Sequence, residues 1–342
     1  MNHQDRPPTN PALYDDRPIL VIAVAYKTPA LVDALVAAFL SDPVIVGAGV
    51  ARCPVELVIA DNSPTARPPS ALNSAHGQDA VRGDVRYLHF AHNPGFSGAA
   101  RASLETLRGS AETGSGQGLG SGQGLGSGQG LRYRAVVLCN VDLSFAYADL
   151  VAAVDDAQLR TGDLSWILAP DIVESDRQYH VNPQLMRRPA GMNRRIRDRI
   201  RRSSLAGDIA FRQLYNLRRR FRPNPNSGQP AYTQIYSAAG AFTVFGAGYF
   251  LAGGVFHDGP LFGEEFAFAE QAHALEIPVF WVPAMVVRHQ GEASVSVKRN
   301  GYRQRHEWYL AADEFYRSWR PESVMGEMAD WFEQARTPDS AR

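Results

Sequence analysis

Cysteine is nearly absent: Cys53 and Cys139 are the two in 342 residues, and no C-x-x-C pair occurs. That excludes a disulfide-stapled framework and a zinc ribbon, and both thiols, set in or beside apolar runs, read as reduced and buried. Net charge is missing too. Thirty-five basic residues balance thirty-five acidic ones, so the molecule as a whole has no field that would gather a polyanion, and no nucleic-acid partner is expected. No stretch reaches about 18 uninterrupted apolar residues, and the N-terminal MNHQDRPPTNPALYDDRP lacks an apolar core of signal-peptide length. A cytoplasmic protein is expected, with the inner face of the cell membrane as a second location. What is present, 45% hydrophobic and 20% charged residues, suffices for one large globular core.

Ile19–Ala25 is a continuous apolar run and reads as a strand covered on both faces. Thr28 can cap the following helix, with Pro29 in its first turn. Further buried-type strands are expected at Val55–Ala60, Val85–Phe90, Ala135–Val141 and Trp166–Ala169, with helical patterns near 97–108 and 147–160. The alternation predicts an α/β fold with a wound, mostly parallel sheet flanked by helices. Such sheets bind ligands beyond the carboxyl ends of their strands, so polar residues there come first as site candidates.

Residues 1–17 read as a flexible tail. The sequence GSGQGL occurs three times between 114 and 131; so much glycine cannot offset its ordering entropy, and 113–131 reads as a surface insertion. Residues 187–225 are crowded with arginine and interleaved with apolar residues, the pattern of helices with one basic and one apolar face. A solvated helical excursion and a surface meeting anionic lipid or a lipid-linked diphosphate through 187–222 both fit. Residues 296–342 read as a C-terminal helical extension, whose aromatic positions suit packing on the main domain or dimerisation.

Four strand ends carry the candidate chemistry. Asp61 follows LVIA, and a carboxylate there can accept hydrogen bonds from a base or ribose, or serve a local turn with Asn62. In His92-Asn-Pro-Gly-Phe-Ser-Gly98 the glycines let backbone approach a ligand, and a helix starting near Ala99 would present its N-terminus to anions, though a plain tight turn is also consistent. Asp142 ends an apolar strand, where it is a candidate ligand for Mg²⁺ or Mn²⁺ or a helix cap. Glu264 and Glu265 open a helix; adjacent helical residues point apart, so divided roles fit better than a carboxylate dyad, and a dipole-stabilising role fits as well. His289, at another strand end, matters chiefly beside a metal.

In this order the stretches VIAVAYKTPALVDALVAAF, VIADNS, HNPGFSGAAR, VVLCNVD, SAAGAFTVF, LFGEEFAFAEQAHALEIPVFWVP and VVRHQGEAS resemble family 2 glycosyltransferases of the GT-A fold, particularly rhamnosyltransferase-like members acting on polyprenyl-diphosphate-linked sugars. The resemblance spans roughly residues 19 to 295 and implies a domain over 18–295. It implies a GT-A domain and a nucleotide-sugar donor, dTDP-rhamnose or a UDP-sugar, held by Asp61, Asn62, Asn93, Gly95, Phe96, Asn140, Gly240 and Ala241. It also implies a Mg²⁺ or Mn²⁺ ion held by Asp142 with His289. Glu265 stands where the family has its catalytic base, with Glu264 beside it, and the acceptor would be a glycan or a polyprenyl-diphosphate-linked sugar. The chain differs from the family pattern at Asn140, which replaces the first carboxylate of D-x-D, at Glu265, which replaces Asp, and at Ala99-Ala100-Arg101, where relatives carry Gly and Asn. The implied chemistry is one inverting displacement, with Glu265 taking the acceptor's proton. A nucleotidyltransferase would want a glycine-rich first loop, which Ala25-Tyr-Lys-Thr-Pro29 is not. A non-catalytic, lectin-like relative is the remaining alternative.

Overall fold

The structure, a computed structural model, describes residues 17–46, 54–72, 80–82, 84–113, 131–174, 179–188, 199, 201–220, 232–259, 261, 263–290 and 301–332. The expected N-terminal tail up to residue 16, the GSGQGL repeats up to residue 130, Cys53, Lys298, Arg299 and much of the arginine-rich stretch lie outside the described residues; Leu131, which closes the expected surface insertion, is instead buried and bridges to Phe332.

Four parallel strands form the centre: β1 (Ile19–Ala25), β2 (Val55–Asp61), then β3 (Ala80–Arg82) antiparallel at the edge, β4 (Val85–His89) and β5 (Ala135–Asn140). The side chains of β1, β2 and β5 are almost wholly buried, as apolar runs require when helices cover a sheet. Beyond them come β6 (Leu143–Ser144), β7 (Ile167–Glu174), β8 (Tyr179–His180), β9 (Thr233–Ile235), β10 (Phe242–Gly246) and β11 (Val279–His289), giving the spatial order β3-β4-β2-β1-β5-β10-β7-β11-β6, with β8 on β7 and β9 on β11. The longer strands β4, β2, β1, β5, β7 and β11 run one way, and β10 runs against its neighbours β5 and β7. This is the α/β arrangement expected, a mostly parallel sheet flanked by helices.

Helix α1 (Pro29–Ser41) leads into the short α2 (Pro43–Val46); α3 (Gly95–Thr113) packs on β1 and β2, and α4 (Tyr147–Thr161) on β11. Next come α5 (Leu205–Arg220), α6 (Ala247–Leu251), α7 (Glu264–Ala274) and α8 (Gly301–Ser318). No helix among the described residues is long and apolar enough to cross a membrane.

Several local expectations need correction. Thr28 sits at the α1 N-cap, but its hydroxyl makes no capping bond; its carbonyl accepts from Leu31 and Val32 instead. Helix α3 starts at Gly95 rather than near Ala99, because the turn is completed by Asn93 at φ 48° and Gly95 at φ 85°. Pro283 lies inside the single strand β11, absorbed by a register shift between Val282 and Val286. Within the expected C-terminal helical extension, the described residues after α8 hold only the short 3₁₀ turns Pro321–Ser323 and Ala329–Trp331.

The last described residues, Met328, Trp331 and Phe332, are built into the core. Phe332 stacks on Phe250 with ring centroids 4.3 Å apart, and Met328 is fully buried. Helices α5 and α8 pack together. Arg202 pairs with Asp313 at 2.6 Å, and Arg201 pairs with buried Asp208 at 2.7 Å while its guanidinium lies 3.4 Å from the Tyr309 ring centroid. These two arginines of the basic segment therefore join parts of the chain to one another.

Candidate active site

Register explains why distant polar residues share one edge. Ala25 aligns with Asp61, Asp61 with His89, and Val24 with Asn140. Because β10 is antiparallel to β5, with Phe242 opposite Cys139, Gly240 and Ala241 lie at that edge too, and the Asn140 amide donates to the Ala241 carbonyl at 3.0 Å. This is the carboxyl edge of the parallel strands, where α/β sheets hold ligands.

At the β2 end, Asp61 is 4% exposed. Its Oδ1 accepts from the Ser63 amide at 2.9 Å and its Oδ2 from the Tyr87 hydroxyl at 2.6 Å, and that hydroxyl in turn accepts from the Arg67 amide at 2.8 Å. The carboxylate is thus locked in direction, with lone pairs left over. Beside it opens a cavity of about 290 Å³ lined by Lys27, Thr28, Asp61, Ser63, Thr65 and Arg67 among others. Lys27, at φ 57°, donates its amide to Ser63 Oγ at 2.7 Å, which ties the loop after β1 to the loop after β2. Asn62 reaches away from this cavity: its Nδ2 donates to the Gly95 carbonyl at 2.9 Å, anchoring the start of α3. Asn93 Oδ1 accepts from the Gly95 amide at 3.3 Å, and Phe96 is buried. A Cβ on Gly95 would come within 2.7 Å of the Gly259 carbonyl oxygen, so glycine is needed there for both φ and space.

At the β5 end, Asp142 is buried, and its carbonyl accepts from the Gln290 amide at 3.0 Å. The pairing of His289 with Leu143 across β11 and β6 brings His289 Nε2 to 3.2 Å from Asp142 Oδ1. Neighbouring ligands of an octahedral ion with bonds of about 2.1 Å lie about 3.0 Å apart, so this oxygen and nitrogen fit as two members of a Mg²⁺ or Mn²⁺ shell. Among the described residues no cluster of three or more His, Cys, Asp or Glu forms a self-sufficient metal site; the rest of the shell would come from substrate and water.

Glu264 and Glu265 occupy the first turn of α7, whose N-cap is Gly263 at φ 119°. Glu264 is buried and Glu265 half-buried. Both face Gly240: a Cβ there would meet Glu264 Oε1 at 3.2 Å and Glu265 Oε2 at 3.6 Å. Glu265 Oε1 accepts from Gln184 Nε2 at 3.0 Å, and Oε2 from the Gly263 amide at 3.3 Å. The structure thus groups Asp61 with the cavity, Asp142 with His289, and Glu264 and Glu265 with Gly240.

Residues not singled out from the sequence complete the surroundings. Tyr316 of α8 covers Gly263, and its hydroxyl lies 2.6 Å from Nε2 of the buried His257. Burial, then the nearby Glu264 and Glu265 charges, push the Tyr316 hydroxyl pKa well above its ordinary value, and burial pushes His257 down to about 4. Tyr87 read as an ordinary strand aromatic, and Gln184 and Tyr316 stand in no motif. The His257-Asp-Gly sequence after an apolar segment was the one signal available.

No family model matches the chain, and no curated protein matches it. Among solved structures, GalNAc-T7 with UDP, GalNAc and Mn²⁺ aligns at 12% identity over 80% of this chain and 44% of its own, with a TM-score of 0.41. The mannosyltransferase PcManGT from Pyrobaculum calidifontis, in complex with GDP-Man and Mn²⁺, aligns at 13% identity over 93% of this chain and 69% of its own, with a TM-score of 0.44. TarS of S. aureus aligns at 9% identity over 90% of this chain and 41% of its own, with a TM-score of 0.41. The chain therefore spans less than half the length of two of these three proteins.

Proposed function

We propose that the chain is an inverting glycosyltransferase of the GT-A type. It moves a sugar, with rhamnose favoured, from a nucleoside-diphosphate donor to a hydroxyl of a saccharide or lipid-linked acceptor. The observation that carries this reading is the convergence on one sheet edge of three chemically different groups. These are a directed carboxylate in a cavity, a carboxylate and imidazole spaced as metal ligands, and two carboxylates at a helix start.

In this reading Asp61 receives the donor's base or ribose in the cavity beside Lys27 and Arg67. Asn93, Gly95, Phe96 and Asn140 with Gly240 and Ala241 shape the donor pocket. Asp142 and His289 hold Mg²⁺ or Mn²⁺, which when bound offsets negative charge on a departing diphosphate. Glu265, half-buried and fixed at both oxygens, takes the acceptor hydroxyl's proton as that oxygen attacks the anomeric carbon, a contribution of about 100- to 10,000-fold. Glu264, buried behind Gly240, orients the site. No protein nucleophile is needed for a single displacement.

The test is Glu265→Gln, assayed with dTDP-rhamnose, UDP-glucose and GDP-mannose in the presence of Mn²⁺. Release of nucleoside diphosphate should fall at least about 100-fold while donor binding by calorimetry is retained. Undiminished release would move the base elsewhere.

A further inference from the structure

The segment from His180 to Leu185 forms a strap between the end of β7 and the turn that leads to Gly240. Its ends are pinned by backbone bonds: the Val181 amide donates to the Ile172 carbonyl at 2.7 Å, Leu185 exchanges bonds with Ser237 at 3.1 and 3.3 Å, and its carbonyl also accepts from the Tyr236 amide at 3.0 Å. Between them, His180, Asn182 and Gln184 each reach a partner outside the strap. His180 Nδ1 meets both oxygens of buried Asp171, at 2.7 and 2.9 Å. Asn182, fully buried, donates Nδ2 to the Pro170 carbonyl at 2.8 Å and accepts the Ala239 amide at its Oδ1, also at 2.8 Å. Gln184 is third in the series, and its Nε2 reaches Glu265 Oε1 at 3.0 Å.

We propose that Gln184 is a positioning residue for the reaction, its amide setting the direction in which Glu265 meets the acceptor hydroxyl, with the strap from His180 to Leu185 as its rigid mount. This rests on the reading of Glu265 as the base. The two oxygens of Glu265 are fixed by different segments: Oε2 by the amide of Gly263, at the N-cap of its own helix, and Oε1 by Gln184. Removing the Gln184 donor leaves the carboxylate free to turn about its last torsion, a broad and weakly restrained one. Productive proton transfer needs the base within hydrogen-bond reach of the proton, and misplacement of such groups costs about 100-fold in severe cases. The donor pocket at the β1, β2 and β5 ends does not include Gln184, so donor binding should be indifferent to it.

The experiment compares the unmodified protein, Gln184→Met and Glu265→Gln for Mn²⁺-dependent release of nucleoside diphosphate from the same three donors. Methionine keeps the length of the side chain and lacks the donor. Gln184→Met is expected to lower kcat about 10- to 100-fold with the donor KM within twofold and thermal unfolding within a few degrees. Full activity in Gln184→Met beside an inactive Glu265→Gln would overturn the positioning role and leave the base assignment standing. A raised donor KM, or broad loss of thermal stability, would show a structural role instead and overturn it as well. Release undiminished in Glu265→Gln, or absent from the unmodified protein with every donor, would remove the base reading and this proposal with it.

Discussion

Replacing Tyr87 with phenylalanine removes one oxygen from the interior and disturbs two hydrogen bonds. Tyr87 is fully buried and Asp61 nearly so, and the 2.6 Å bond from the hydroxyl to Asp61 Oδ2 has an ionisable acceptor. Bonds to charged groups contribute about 1.5–3 kcal/mol, and the neutral bond that the same hydroxyl accepts from the Arg67 amide at 2.8 Å adds about 1 kcal/mol. Water can reach part of the vacated site from the adjoining cavity, so a loss of about 2–4 kcal/mol is expected, or roughly 3–6 °C in the unfolding temperature. Circular dichroism melts of Tyr87→Phe, Asp61→Asn and the double variant form a cycle. If the bond orients Asp61 as described, the single effects should fail to add by about 1 kcal/mol or more. Calorimetric titration with UDP or dTDP should show weakened binding in both single variants. Additivity within about 0.5 kcal/mol, with nucleotide binding intact in Tyr87→Phe, would refute the idea that this tyrosine aims the carboxylate.

Asp142→Asn should abolish the thermal stabilisation given by Mn²⁺ plus a nucleoside diphosphate, a shift worth about 3 kcal/mol at a hundredfold excess over Kd. Chelation by EDTA should reverse that shift in the unmodified protein, and a shift preserved in Asp142→Asn would dismiss this carboxylate as a ligand. A separate expectation concerns acid stability. Burial holds His257 neutral and moves its pKa down to about 4, whereas an imidazole in an unfolded chain titrates near about 6.5. Between those values the unfolded chain takes up a proton that the fold refuses. The contribution is therefore fully present above about pH 6.5 and is lost as pH falls toward 4, by up to about 3 kcal/mol. Urea unfolding at pH 7 and pH 4.5 should show a smaller acid loss in His257→Gln, which can still bond to Tyr316 but does not titrate; an equal loss in both proteins would contradict this.

The parts legible in the sequence were those set by local patterning. Apolar runs announced β1, β2 and β5 nearly to the residue, because strands covered on both faces are built almost entirely of apolar residues, whereas β4 keeps Arg86 and His89 half-buried. The polar residues closing those runs then had to sit at one edge, and Asp61 and Asp142 were readable for that reason. Pairing across the sheet was not readable. His289 reaches Asp142 only because β11 runs beside β7 and lays its last residues against β6, a register that no local pattern states. Tyr87 looked like one more strand aromatic, since burial of its ring and use of its hydroxyl leave the same letter in the sequence. Gln184 bonds to a residue 81 positions away, and its place beside His180 and Asn182 becomes meaningful only once Asp171, Ala239 and Glu265 are seen around them.

Three glycines show how tightly the carboxylate end of the site is enclosed, and why their reason for being glycine lies in other segments. A Cβ on Gly240 would crowd Glu264 Oε1, one on Gly259 would stand 2.8 Å from the Tyr316 hydroxyl, and one on Gly263 would stand 2.6 Å from the Tyr316 ring. Of these, only Gly263 also adopts a positive φ, 119°. At the other two the missing atom leaves room for a neighbour's side chain. The neighbour in two of the three cases is Tyr316, on α8, which is held against the body of the protein by the contacts of Phe315 and Trp319 with His257. The expected C-terminal extension is thus in contact with the residue that opens the helix carrying Glu264 and Glu265. Its aromatic residues pack the domain and at the same time wall the place where those two carboxylates sit.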